Sequence, residues 1–153
     1  MSYALQIAPP LAADGPALTH VLQRAGVTKD DLVRVTGPAG LTAVLWLARK
    51  GYRRAVYAPA LGAVAHHEPA DAVLIPSACL RHDLVRLIKG PVGLRAGGAL
   101  IFQSWSQHAG DDPDGITGPL GACGYKVEHT LLDKGRAVYI ARRQDMGGYE
   151  QAA

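Results

Sequence analysis

The apolar positions of this chain switch period several times, and each switch marks an element. LVRVT (32–36) is a short β-branched run and predicts a strand. After the turn residues GPAG (37–40), Leu41, Val44, Leu45 and Ala48 fall at helical spacing, and Arg-Lys-Gly closes that helix at 49–51. RAVYA (54–58) predicts a second strand, stopped by Pro59. DAVLIP (71–76) is almost continuously apolar, the pattern of a strand covered on both faces. In LRHDLVRLIKG (80–90), Leu80, Leu84, Leu87 and Ile88 share one helical face. GGALIFQ (97–103) predicts another strand, and residues 104–115 a loop. Residues 116–124 can hold only a short helix, because Pro119 interrupts it. Residues 125–143 predict two strands around an Asp-Lys-Gly turn, with Val127, His129 and Leu131 alternating with Lys126, Glu128 and Thr130. Ahead of all these, residues 16–25 predict a helix between Pro16 and Gly26.

Strand–helix–strand alternation predicts an α/β domain with a mostly parallel sheet, to which the terminal hairpin adds an antiparallel strand. The domain is expected over residues 15–143, with an N-terminal arm (1–14) and a tail (144–153). Val33, Val35, Val56, Val73, Ile75, Leu100 and Phe102 are expected in buried parallel strands, with Leu45, Leu84 and Ile88 packed on them from helices. Trp46 is expected in the core, and Tyr57 and Tyr139 as packing residues of strands. Ligands of such sheets bind outside the carboxyl ends of the strands. The loops at 36–40, 58–62, 76–80 and 103–115 are therefore the ones to watch.

Composition changes this picture little. At 153 residues the chain is about one domain and long enough to bury a core without staples. Aromatics are only 6%, so that core must be built from Ala, Val, Leu and Ile. A net charge of +3 does not indicate a nucleic-acid partner, and the densest cations, Arg49, Lys50, Arg53 and Arg54, sit where a helix dipole welcomes them. Cys79 and Cys123 have no CxxC spacing, which argues against a disulfide framework or a cysteine zinc site and fits a reducing, cytoplasmic setting. The N-terminus lacks the basic and apolar regions of a signal peptide, and no run is long enough to span a membrane.

With the order of elements set out, ADAVLIPSACLRHDLVRLIKGPVGLRAGGALIF (70–102) resembles the second half of class I S-adenosylmethionine-dependent methyltransferases. That half runs strand, loop, helix, then a Leu-x-x-Gly-Gly turn into the next strand, here LRAGG (94–98). GYKVEHTLLDKGRAVYIARR (124–143) is similar to the family's closing hairpin, and the resemblance extends over roughly residues 30–143. It implies a three-layer, Rossmann-like methyltransferase fold and S-adenosylmethionine as cofactor. The cofactor half departs from the family. In VRVTGPAG (33–40), Arg34 stands where an acid is usual, Thr36 and Pro38 replace the first two glycines of GxGxG, and Gly40 matches the third. Ala58 and Pro59 stand where the second strand normally ends in the acid that holds the ribose. Only eleven residues separate Pro59 from Asp71, too few for a βαβ unit of about 30 residues, so the family's third strand is expected to be missing. A six-stranded sheet remains, in the family's own numbering 2-1-4-5-7-6.

The resemblance implies cofactor contacts at Thr36, Gly37, Gly40, Ala58 and Ser77. Trp105 and His108, in the loop after GGALIFQ, are candidates for substrate contact. Other constellations carry weaker chemistry. His66-His67-Glu68 lacks a third ligand at metal spacing and reads as a solvated loop. Asp111, Asp112 and Asp114 lack the terminal Glu of a calcium loop. Ser77, His82 and Asp83 have no GxSxG elbow to make them a triad, and no GxxxxGK[ST] indicates a phosphate loop. Three functions stay open: a methyltransferase with atypical cofactor binding and an unknown acceptor, a non-catalytic scaffold of the same fold, and a mononucleotide-binding regulator using the Gly37–Gly40 turn. A trimmed sheet edge also leads us to expect a homodimer or a protein partner.

Overall fold

A computed structural model describes residues 15–104, 115–133 and 136–145. The expected arm and most of the tail lie outside them. In chain order the elements are α1 (Gly15–Arg24), β1 (Val33–Val35), α2 (Gly40–Arg49), β2 (Ala55–Tyr57), α3 (Leu61–Val64), β3 (Ala70–Cys79), α4 (Arg81–Lys89), β4 (Leu94–Ser104), α5 (Thr117–Ala122), β5 (Tyr125–Asp133) and β6 (Arg136–Arg143). The strands form one six-stranded sheet in the order β2-β1-β3-β4-β6-β5. β2, β1, β3 and β4 run parallel, and β6 enters antiparallel between β4 and β5. This is the strand order expected from the resemblance, without the third strand. β2 leads through the one-turn α3 directly into β3.

Side-chain alternation along the central strands divides the core between two faces. Val33, Val35, Ala72, Leu74 and Ile101 pack with Leu18 and Leu22 of α1 and Ala43 and Leu47 of α2. Val73, Ile75, Leu100 and Phe102 point the other way, onto Leu61 of α3, Leu84 and Ile88 of α4 and Leu120 of α5. Helices cover both faces, giving three layers. Tyr139 is buried and stacks on Phe102 with ring centroids 5.1 Å apart. Along β5, Val127, His129 and Leu131 are half-buried while Lys126, Glu128 and Thr130 are exposed, so the period-two reading of that strand is correct. No helix among the described residues is long and apolar enough to cross a membrane.

Three core expectations need correction. Val56 is 42% exposed and Leu45 57% exposed, although both were expected inside. Periodicity identifies the apolar positions of α2 but not which of them face the sheet. Gly40, Ala43 and Leu47 do, which turns Leu41 and Leu45 outward. β2 is the edge strand, so Val56 has no neighbour beyond it within the sheet. Trp46 is half-buried rather than in the core, with the Lys50 ammonium 5.3 Å from its ring centroid.

Polar groups tie the strands together at their N-terminal ends. The Asp71 carboxylate accepts from the Leu32 N–H at 2.8 Å and from the Arg95 guanidinium, which links the starts of β1, β3 and β4. Burial alone would raise this carboxyl's pKa, but the Leu32 N–H and Arg95 outweigh it and hold the group below its ordinary 3.8. A depressed folded-state pKa contributes stability above the unfolded value and loses it as pH falls through the folded one. Asp71→Asn is therefore expected to be less stable than the parent at neutral pH. The two should converge as pH falls below 3.8 and through the depressed pKa of the folded state, in urea unfolding monitored by circular dichroism.

Candidate functional site

The site begins with a break in register. β3 and β4 pair residue for residue from Ala72↔Ala99 to Ile75↔Phe102, and then Ala78 pairs with Gln103. Two residues of β3, Pro76 and Ser77, are thus left over opposite a single step of β4. Pro76 has no N–H to give the ladder, so a bulge is the place in a central strand that tolerates it. Its carbonyl is taken up by the Gln103 side chain, whose Nε2 donates to it at 2.6 Å. Gln103 itself is buried.

Beside the bulge, the chain leaving β1 turns sharply. Thr36 N–H still bonds the Leu74 carbonyl at 3.0 Å, and Gly40 N–H closes the turn on the Gly37 carbonyl at 2.9 Å. Gly37 has φ +98°, a conformation that side chains with a Cβ rarely adopt, and a Cβ there would lie 3.2 Å from Ser77 Oγ. The turn and the bulge are therefore in close contact. α2 begins at Gly40 with no side chain capping it, so its positive end faces this turn.

Between turn, bulge and α4 lies a cleft of about 460 Å³. Thr36, Gly37 and Pro38 form one wall, Ile75, Ser77 and Cys79 the floor, and Leu80, Asp83, Leu84 and Leu87 the other wall. A second recess of about 380 Å³ shares Thr36, Asp83 and Leu87 and runs on toward Pro59, Leu61 and Arg86. Among the described residues Asp83 is the only carboxylate lining either recess, and it sits in the first turn of α4, where the helix dipole favours a negative charge. Its Oδ1 lies 3.4 Å from Nε2 of His82, and both side chains are largely exposed. His82 does not line the cleft, so Ser77, His82 and Asp83 do not converge as a triad.

Thr36, Gly37 and Ser77, all expected at the cofactor, meet in this cleft. Gly40 and Ala58 are not in its lining. Gly40 is buried beneath Tyr57, and a Cβ on it would come within 2.6 Å of that ring. Tyr57 thus packs on Gly40, as expected of a strand residue, although the residue as a whole is 40% exposed. Ala58 is buried in the cluster that contains Leu61 and Val73, and its N–H continues the ladder to the Val35 carbonyl at 2.8 Å. Arg34 is buried too, donating to the carbonyls of Glu68 and Gly93, and faces none of the cleft. Trp105, His108, Asp111, Asp112 and Asp114 lie outside the described residues. His66 and His67 are exposed, and no cluster of metal-ligating side chains exists among the described residues. Sequence reasoning did not assign Cys79, Leu80 or Leu87 to the site, and it weighed Asp83 only as a triad member. The loop at 76–80 was the available signal.

No family model matches this sequence, and no curated protein is similar to it. Solved structures do match. The ribosomal protein L11 methylase of Lactobacillus delbrueckii superposes with a TM-score of 0.60 over 86% of this chain and 79% of its own, at 14% identity. The magnesium protoporphyrin IX methyltransferase of Synechocystis, solved with S-adenosylhomocysteine bound, gives a TM-score of 0.58 over 87% of this chain and 83% of its own, at 13% identity. The chain has the methyltransferase fold. A third structure, the precorrin-6y C5,15-methyltransferase of Geobacter metallireducens, agrees with a TM-score of 0.55 over 84% of this chain and 88% of its own, at 14% identity. This methyltransferase-like fold places the cleft outside the carboxyl ends of β1 and β3, where open α/β sheets take their ligands.

Two of the cleft's features can be measured directly. Burial, reinforced by the Asp83 charge, pushes the Cys79 thiol from its ordinary 9.0 up to about 11. At pH 8 its thiolate fraction should be about 100-fold below that of an ordinary cysteine; a thiolate of higher pKa is more nucleophilic, so alkylation of Cys79 by iodoacetamide, followed by mass spectrometry, should be slower by about tenfold or more. Gln103→Leu leaves the Pro76 carbonyl without its donor and should cost about 1–3 kcal/mol in urea unfolding.

Proposed function

We propose that this chain binds S-adenosylmethionine or S-adenosylhomocysteine in the cleft between the Thr36–Pro38 turn, Ser77 and Asp83, as a methyltransferase-like protein. One observation carries the reading: in a methyltransferase fold, the 460 Å³ cleft opens at the turn after β1 and falls within the roughly 300–1,000 Å³ of small-molecule sites. The residues present fit the cofactor in part. The uncapped start of α2 suits its carboxylate, the Thr36 and Ser77 hydroxyls supply hydrogen bonds, and Ile75, Leu84 and Leu87 supply apolar walls. Asp83 supplies a negative charge for its cationic groups. The ribose is the part left without a partner, because β2 ends in Tyr57 and the buried Ala58 rather than in an acid. Losing such an acceptor costs about 1–3 kcal/mol, so binding should be weaker than where that acid is present.

The cofactor supplies a methyl group already activated on a positive sulfur. What remains for the protein is to hold and orient, and the chain's own groups suit that role. Thr36 and Ser77 fix polar atoms, and the leucines exclude water. Cys79 stays protonated near neutral pH, so the thiol does not serve there as a thiolate. A second reading, a non-catalytic scaffold that keeps the fold, is favoured by the Tyr57 ring lying over Gly40 and by the buried Arg34 in the place of the family's acid.

Calorimetric titration with both ligands separates the two readings. Saturation, or a thermal shift equivalent to about 2.7 kcal/mol at 100 times Kd, supports the first. Silence at millimolar ligand supports the scaffold. The charge at Asp83 gives a finer test, since S-adenosylmethionine carries a sulfonium and S-adenosylhomocysteine does not. Asp83→Lys, at an exposed position, should weaken the sulfonium ligand several-fold more than its demethylated product, on the order of 1 kcal/mol per unit charge at close range in water. Equal loss for both ligands would place the sulfur away from α4.

A further inference from the structure

Away from the cleft, α1 and α2 pack on the same face of the sheet, and a recess of about 430 Å³ opens between them. Thr19, His20 and Gln23 of α1 line one side, and Trp46 of α2 and its C-cap Lys50 the other. His20, Gln23 and Arg24 are three and four residues apart, as are Trp46, Arg49 and Lys50, so each set shares one helical face. α2 begins at the turn beside the cleft and reaches Lys50 ten residues later, about 15 Å away at 1.5 Å per residue. The recess therefore lies at the other end of the sheet from the cleft.

We propose that this recess and its cationic rim bind single-stranded RNA, with one base stacked on Trp46 and the flanking phosphates on Arg24, Lys29, Arg49 and Lys50. The cations surround the ring. Lys29 lies along the end of α2, where a Cβ on Gly51 would come within 3.4 Å of its Cδ. All four are exposed, and among the described residues none of them has a carboxylate partner. The acids of the neighbouring loop are engaged, Asp30 with Arg53 at 3.7 Å and Asp31 with the Thr28 N–H at 2.9 Å. The net charge of +3 conceals this placement. Helix dipoles welcome cations at the ends of α1 and α2, but they account neither for Lys29 nor for the aromatic recess between the helices.

Trp46 is half-buried, packed on the core, and carries the Lys50 ammonium 5.3 Å from its ring centroid. An exposed ammonium is a weaker partner for the ring than a base. The long Lys50 stem can swing aside, and the displaced ammonium then pairs with a phosphate. Other anionic partners fit less well. A membrane needs apolar side chains at the rim, but Leu41 and Leu45 lie on the flank of α2 turned from α1, at 100° per residue from Trp46. An acidic peptide meets the cations but not the flat aromatic floor. The His20 imidazole and the Gln23 amide beside the ring suit a ribose 2′-hydroxyl, which DNA lacks.

Fluorescence anisotropy of a labelled oligo(U) RNA of about 12 nucleotides, titrated with the full chain across a salt series, tests this. The expected result is saturable binding that quenches tryptophan fluorescence and weakens with salt. Four phosphate contacts at roughly 0.7 each give a log–log slope of about −3. Trp46→Leu should lose that quenching and weaken binding about fivefold or more. Lys50→Gln should reduce the slope by about 0.7. Lys89→Gln, the same charge change on α4 across the sheet, should leave affinity and slope unchanged. Undiminished binding by a folded Trp46→Leu variant overturns the proposal. If that variant does not fold, equal effects of Lys50→Gln and Lys89→Gln overturn it, because binding then follows net charge alone. Equal affinity for oligo(dU) overturns the assignment to RNA. No saturable binding at low salt overturns the whole, as does capture by phosphatidylserine vesicles in place of RNA. None of these readouts involves S-adenosylmethionine, so the outcome is separate from the cofactor reading.

Discussion

The register break between Ile75 and Ala78 is the constraint on which the candidate site depends. A parallel strand buried on both faces leaves no room for a ligand, since neighbouring strands and helices fill every direction. Two unpaired residues at the end of β3 relieve that crowding and let Ser77 meet the turn after β1. The bulge is stabilised because the Pro76 carbonyl is satisfied by Gln103, itself fixed in β4. An unpaired carbonyl in so dry a place would favour re-registering the strand.

The polar links between strands and the candidate cleft lie at opposite ends of the sheet. At the N-terminal end, Asp71 bridges Leu32 and Arg95, and Glu68 receives Arg54 on its carboxylate and Arg34 on its carbonyl. Arg34 is an unusual choice for a central strand, since a buried guanidinium needs every available acceptor. It finds the carbonyls of Glu68 and Gly93, just ahead of β3 and β4. An acid at this position could not accept from those groups, because carbonyls have no proton to give. The substitution at the family's acidic position and the conformation of the two connections are thus one arrangement. At the C-terminal end, among the described residues, lies the largely apolar cleft with Asp83 on its wall.

The short link from β2 to β3 shapes the rest of the molecule. It makes β2 an edge strand of three residues, leaves Val56 and Tyr57 in the open, and removes whatever would have covered Leu41 and Leu45. Tyr57 adapts by lying over Gly40, where the absence of a Cβ gives its ring a seat. The glycine that matches the family's motif is therefore used here to pack the edge of the sheet.

The sequence by itself determined the order of the elements, the parallel sheet, the closing hairpin and the missing strand. These depend on local periodicity, on Gly and Pro punctuation and on the number of residues available between Pro59 and Asp71, all of which are properties of the chain in one dimension. The resemblance also assigned Thr36, Gly37 and Ser77 to one site, and the adjacent ends of β1 and β3 do bring them together. Tertiary structure alone decided which side of α2 is buried. Gly40 and Ala43 permit close approach to the sheet, and that rotation sends Leu45 outward despite its helical spacing. It decided as well that Ala58 faces the core and that Asp83 and Cys79 belong to the cleft. Which way a residue points at a strand end or a bulge depends on the neighbouring strand's register, and register is a relation between distant segments that no local pattern contains.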